Sequence, residues 1–85
     1  MAIRIEENAY KTTDTALAAY LYSEGFELLE VDGSNFPSVF YFENSNPKLS
    51  EYIRNFQIGK AEGNIAIFFK SYKTMLARIK DSKYA

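Results

Sequence analysis

The chain has 85 residues, 47% of them hydrophobic, 16% aromatic and 25% charged, with a formal net charge of −1. This is the composition of one folded domain, expected to span 1–85, and not of a disordered segment. The absence of Cys and His excludes disulfides, thiol nucleophiles, the commonest general base and nearly every zinc site.

The opening Met1-Ala2-Ile3-Arg4-Ile5-Glu6-Glu7 places two acids where a secretion signal needs an apolar run. No apolar run approaches the ~20 residues that span a bilayer. A cytoplasmic protein of a prokaryote or its virus, with no membrane partner, is the expectation. The charge is divided along the chain. Residues 1–47 carry eight acids and two bases, whereas residues 48–85 carry eight bases and three acids. Such a split can give two faces of opposite sign.

Residues 2–11 read as extended, because Ile3 and Ile5 alternate with Arg4 and Glu6, and one short strand is expected there. Thr12-Thr13-Asp14 is an N-cap cluster. The helix it opens is expected to run to about Glu24, with Gly25 at the left-handed exit. Leu17, Ala18, Tyr20 and Leu21 share one broad face of it. Thr15, Ala16, Ala19 and Ser23 share the other, which is small enough to admit another backbone.

Phe26 to Val31 reads as a strand with half-apolar faces, so cover on both sides is expected. After the turn-forming stretch Asp32-Gly33-Ser34-Asn35-Phe36-Pro37, Val39 to Glu43 reads as a second strand, apolar on both faces. The short link predicts an antiparallel hairpin. Asn46 then caps a helix with Pro47 at its first position, and Leu49, Tyr52, Ile53 and Phe56 follow at i, i+3, i+4 and i+7. Gly59 stops it. Asn64 caps a last helix of roughly 17 residues. Its expected apolar arc is Ile65, Phe68, Phe69, Tyr72, Met75, Leu76 and Ile79. The tail at about 82–85 is expected to fray.

The order β-α-β-β-α-α predicts an α+β fold. The first two strands are expected to pair in parallel through a crossover, with the third antiparallel. That makes a three-stranded mixed sheet packed with helices.

Several segments together resemble a small family: Tyr10-Lys11-Thr12-Thr13-Asp14, Leu17-Ala18-Ala19-Tyr20-Leu21, Gly25-Phe26, the aromatic strand Val39–Glu43, and Phe68-Phe69 with Tyr72-Lys73. That family is a domain of unknown function found in bacterial, archaeal and phage-related proteins. The resemblance covers residues 10–80, with the loop Asp32–Pro37 and the tail after Lys80 outside it. It implies a compact prokaryotic or viral domain and carries no activity with it.

Catalysis is not expected. Gly59-Lys60-Ala61-Glu62-Gly63 lacks the spacing of a phosphate loop and follows a helix. Asp32-Gly33-Ser34-Asn35 has the wrong offsets for a calcium loop. No cofactor is called for. The remaining functions are binding functions. Lys70, Lys73, Arg78 and Lys80 on the last helix, extended by Arg54 and Lys60, form a candidate phosphate-binding array for single-strand or duplex nucleic acid. Phe40 and Phe42, two apart on one strand face, match the spacing of base-stacking sheets, although a place in the core is the plainer reading.

Thr15, Ala16, Ala19 and Ser23, with Tyr22, form a candidate protein interface for a target or a homodimer. The acidic half, with Glu27, Glu30 and Asp32, suits a phage inhibitor that mimics nucleic acid. The leading expectation is a non-enzymatic protein-interaction component of a prokaryotic or phage nucleic-acid-related assembly.

Overall fold

Strand β3 (Val39–Glu43) forms the middle of the sheet, with β1 (Ala9–Thr12) on one side and β2 (Leu28–Asp32) on the other. The structure, a computed structural model, describes residues 9–84 and the side chains of residues 9–82. The alternating Ile3 and Ile5 lie outside the described residues. The element order is β1, α1 (Thr15–Ser23), β2, β3, α2 (Leu49–Gln57), α3 (Ile65–Tyr84). It agrees with the expected β-α-β-β-α-α order and α+β class.

The pairing differs from the expected mixed sheet. β3 is antiparallel to both neighbours, with Tyr10 opposite Phe42 on one side and Val31 opposite Phe40 on the other. β1 and β2 still run in the same direction, as a crossover through α1 requires, but β3 is inserted between them. The most β-prone run of the chain, Val39-Phe40-Tyr41-Phe42, thereby gains two partners. The predicted β2–β3 hairpin is present, closing with Asp32 opposite Val39. Its link contains a cis Phe36–Pro37 bond.

A register shift between Leu28 and Glu30 makes Leu29 the extra residue of a bulge. The bulge lets both Leu28 and Val31 face the core and leaves Leu29 exposed, so the expected cover on both sides of β2 is not found.

The helix signals are read locally. Asp14 Oδ1 accepts from the backbone N–H of Ala16 and Leu17 at 3.0 and 3.1 Å. Asn64 Oδ1 accepts from Ile67 N–H at 3.0 Å and starts α3. Asn46 Oδ1 takes the N–H of Lys48, but the regular part of α2 begins two residues after Pro47. Gly25 and Gly59 sit at φ 94° and 77°. Each closes a Schellman motif. Phe26 N–H donates to Leu21 O behind the first, and Lys60 N–H donates to Asn55 O behind the second.

The core lies between the inner face of the sheet and the helices. Phe40, Phe42, Leu17, Ala18, Ala19, Leu21, Leu49 and Met75 are buried there. α1 and α3 are the most closely packed pair of elements. Tyr20, Phe26, Tyr52 and Phe56 form an aromatic cluster beside α1. Tyr20 stacks on Phe56 at 5.6 Å, and Phe26 meets Tyr52 edge-on at 5.1 Å.

α3 runs through Ser82 to Tyr84, past the point where fraying was expected. Ser82 Oγ accepts from Gly33 N–H at 2.9 Å. A Cβ at Gly33 would stand 2.8 Å from Ile79 O, so the β2–β3 link approaches the backbone of α3 at a distance that only glycine permits.

Candidate interaction surface

The outward side of α3 carries the features that the core does not use. α3 turns Phe68, Ser71, Met75, Ile79 and Ser82 toward the domain. This is one stripe at i, i+3, i+7, i+11 and i+14. Of the rest of the predicted apolar arc, Tyr72 is half-buried beside Phe68 and packs against the core, and the other three residues are not covered. Ile65 is 79% exposed, Phe69 60% and Leu76 47%. They follow at i, i+4 and i+11 along a second stripe. Lys73 and Lys80, seven residues apart and both exposed, flank it, with Lys70 farther round.

The six-base array is therefore divided. Lys70, Lys73 and Lys80 share the outer side of α3. Arg78 is half-buried in a groove with Leu29, Glu30, Val31 and Asp81. Lys60 stands in a groove with Glu24, Glu51 and Glu62. Arg54 is exposed on α2, a helix that packs on α1 and not closely on α3.

The small face of α1 is used inside the domain. Ala19 is fully buried, while Thr15, Ala16 and Ser23 are half-buried. Ser23 Oγ donates to Tyr20 O at 2.7 Å. Of the five residues proposed as a protein interface, Tyr22 alone is exposed. The face that was expected to receive a foreign helix packs within the chain, because close approach of backbones is what the neighbouring helix also needs. Base stacking on Phe40 and Phe42 is excluded in this fold, since both rings are fully buried.

The acidic residues of the first half have varied partners. Asp14 is a helix cap. Asp32 accepts from Ser34 through both the hydroxyl, at 2.6 Å, and the backbone N–H. Those bonds hold its carboxyl below the usual Asp range. Ser45 does the same for Glu43, whose carboxyl is also held low. Glu30 and Glu27 are exposed. Tyr20 titrates above its ordinary value because it is buried and, secondarily, because Glu24 is near.

Two further features escaped the sequence. An apolar cavity of about 190 Å³ opens where α1, α2 and the start of α3 meet, lined by Tyr20, Phe56, Ala61, Ile65 and Phe68 among others. Phe36, at the tip of the β2–β3 link, is 97% exposed. The first depends on three distant segments meeting, and no local pattern announces it. The second was signalled by an aromatic inside a run of turn residues. Among the described residues no group of three or more acidic side chains is placed to hold a metal, and no helix is long and apolar enough to cross a membrane.

No curated protein and no solved structure matches the chain. One family model does. It covers residues 7–85, and so takes in the Asp32–Pro37 loop and the tail that the resemblance had left outside. With nearly its whole length matched, the chain belongs to the family of the domain of unknown function DUF5659.

Proposed function

We propose that this domain is a protein-interaction module of a nucleic-acid-related assembly, and that the outer side of α3 is its working surface. The observation that carries the reading is the exposure of Ile65, Phe69 and Leu76 in one stripe beside Lys73 and Lys80. Aligned large apolar side chains on the longest helix mark a place where another apolar surface sits. The lysines add the sign of that partner: its contact face is apolar with acidic flanks. Chemistry on a substrate is not part of the proposal.

Direct binding of single-stranded nucleic acid is the second reading. It is favoured by Phe69, an exposed aromatic one helical turn from Lys73. The aliphatic Ile65 and Leu76 weigh against it, because neither offers a stacking face and Leu76 stands between Lys73 and Lys80. Division of the six bases among four locations weighs against it too.

The test has two arms. A photo-crosslinking amino acid is placed at Leu76, with a control at the exposed Ser50 of α2. In parallel, labelled single- and double-stranded oligonucleotides are titrated at about 50 and 200 mM salt. Protein adducts at Leu76 and not at Ser50, with no saturable oligonucleotide binding, are expected. Tight, strongly salt-dependent oligonucleotide binding that Lys73→Glu with Lys80→Glu abolishes would replace the proposal with the second reading.

A further inference from the structure

We infer that α3 pairs side by side and antiparallel with α3 of a second copy of this chain, closing a two-fold dimer. The inference rests on the reading of α3 as a protein-docking helix and names its partner.

The exposed stripe is complementary to its own reverse. Ile65, Phe69 and Leu76 stand at i, i+4 and i+11, and all three are exposed. Tyr72, at i+7, is held against the core beside Phe68, and the contact does not depend on it. Steps of four, three and four residues are those of a helix–helix seam. They read the same from either end. Two copies can therefore run antiparallel about a two-fold axis midway between Ile65 and Leu76, so that Ile65 of each meets Leu76 of the other. The two Phe69 side chains then stand about 4.5 Å apart along the seam, close enough for their rings to pack at the axis.

The charges select this direction. Lys80 follows Leu76 by one helical turn, Glu62 precedes Ile65, and both are exposed. They lie at opposite ends of α3, more than about 20 Å apart, so one chain cannot pair them with each other. Antiparallel pairing brings Lys80 of each copy level with Ala61 and Glu62 of the other. Lys73 comes to lie beside the exposed Ala66, which its aliphatic stem covers. Parallel pairing would instead set Lys73 beside Lys73, Lys80 beside Lys80 and Glu62 beside Glu62.

The rest of the domain leaves room for the contact. The stripe lies about 100° round the helix from the face that α3 turns to its own core. Two helices touch along it while each domain stays to one side. Ile65 and Phe68 also line the apolar cavity where α1, α2 and the start of α3 meet. Leu76 of the second copy arrives at Ile65, at the mouth of that cavity, so pairing covers the recess too. The contact is isologous and closes at two copies. It is also short, since Ile65 and Leu76 are about 17 Å apart along the helix. Its area falls below the roughly 1,200–2,000 Å² typical of specific interfaces, so the dimer dissociates on dilution.

The test combines two measurements. Sedimentation velocity of the purified chain is run from about 10 to 500 µM. Adducts of the crosslinking residue at Leu76, formed in the purified protein, are mapped by mass spectrometry. The natural chain is expected to pass from monomer to dimer and no further, and the Leu76 adduct is expected to fall around Ile65 of another copy. Lys80→Glu and Glu62→Lys, each alone, are expected to dimerise about tenfold more weakly, with circular dichroism checking each fold. The chain that carries both changes is expected to regain the natural dimer, because each reversed charge again meets its opposite on the other copy.

A natural chain that stays monomeric at about 500 µM overturns the inference. Assembly beyond a dimer, adducts that join Leu76 to the Leu76 region of another copy, and a double variant that stays weak each overturn it as well. A monomer that gives foreign protein adducts at Leu76 in cell extract leaves α3 as a docking helix and removes only the second copy. No adduct at all removes both.

Discussion

Helices α1 and α3 are both rich in apolar residues, yet one vanishes into the core and the other leaves much of its apolar surface in water. α1 spans nine residues, and Leu17, Ala18, Ala19, Tyr20 and Leu21 are all buried. These five consecutive residues point in every direction round the helix, so the middle of α1 is covered on all sides and only Tyr22 near its end is exposed. α3 spans twenty residues and buries one stripe. The difference follows from length. A sheet of four- and five-residue strands can enclose a short helix, whereas a helix twice as long has turns that no strand reaches. Apolar residues on α1 are there for the fold, and those on the outside of α3 have to be accounted for by something beyond it.

The strongest way to break this comparison is a charge on the buried helix. Ala19→Arg is expected to abolish folding, because a buried unpaired guanidinium costs several kcal/mol, on the order of the domain's whole stability of about 5–15 kcal/mol. A cooperative thermal transition near that of the natural chain would show that α1 is less enclosed than described. Next in size is Gly33→Ala. Its new methyl would meet Ile79 O at 2.8 Å, and the strain should cost about 1–3 kcal/mol in urea denaturation. Unchanged stability would mean that the β2–β3 link and α3 are not held together as the Ser82 contact implies.

On α3 the same kind of apolar residue should behave in the opposite way. Phe69→Ser with Leu76→Ser is expected to change stability by no more than about 0.5 kcal/mol per site while removing association. A loss of several kcal/mol would assign the stripe to the core.

The smallest effect concerns acid. Asp32 and Glu43 have carboxyls held below their ordinary values of 3.8 and 4.5. Their contribution to stability is present above those values and is lost as pH falls through the lower folded ones. Ser34→Ala with Ser45→Ala should raise both toward ordinary values in an NMR titration and flatten the acid limb of the stability curve. Titration unchanged by the substitutions would detach the shifts from the serines.

Much of the fold was legible because its signals are local. Asp14, Asn64, Gly25 and Gly59 act on backbone groups within one or two turns, and each does what its position implies. β3 has the expected bounds because Val39-Phe40-Tyr41-Phe42 is unambiguous. The order of strands was less legible, since pairing of β3 with β1 joins residues 28 to 34 apart in sequence. The bulge at Leu29 inverted an alternation that looked regular.

The candidate site was half legible. Lys73 and Lys80 were recognised as a face from their spacing. Ile65, Phe69 and Leu76 were assigned to the inward arc, because periodicity groups residues by direction and says nothing of where a neighbouring element ends. Ser71 shows the reverse. A serine between aromatics was given no place, yet it is buried in the stripe that faces the domain.

The way α3 completes the core has a consequence for biosynthesis. Met75 is among the fully buried side chains, and Ser82 reaches back 49 residues to Gly33. A nascent chain that has emerged only through α2 holds a sheet and two short helices with one side of the core still open. Contacts of such separation form late, since the loop between them must close first. Phe40, Phe42 and the apolar side of α1 therefore wait in contact with water or a chaperone until α3 has cleared the ribosome, and folding is completed after most of the domain has been made.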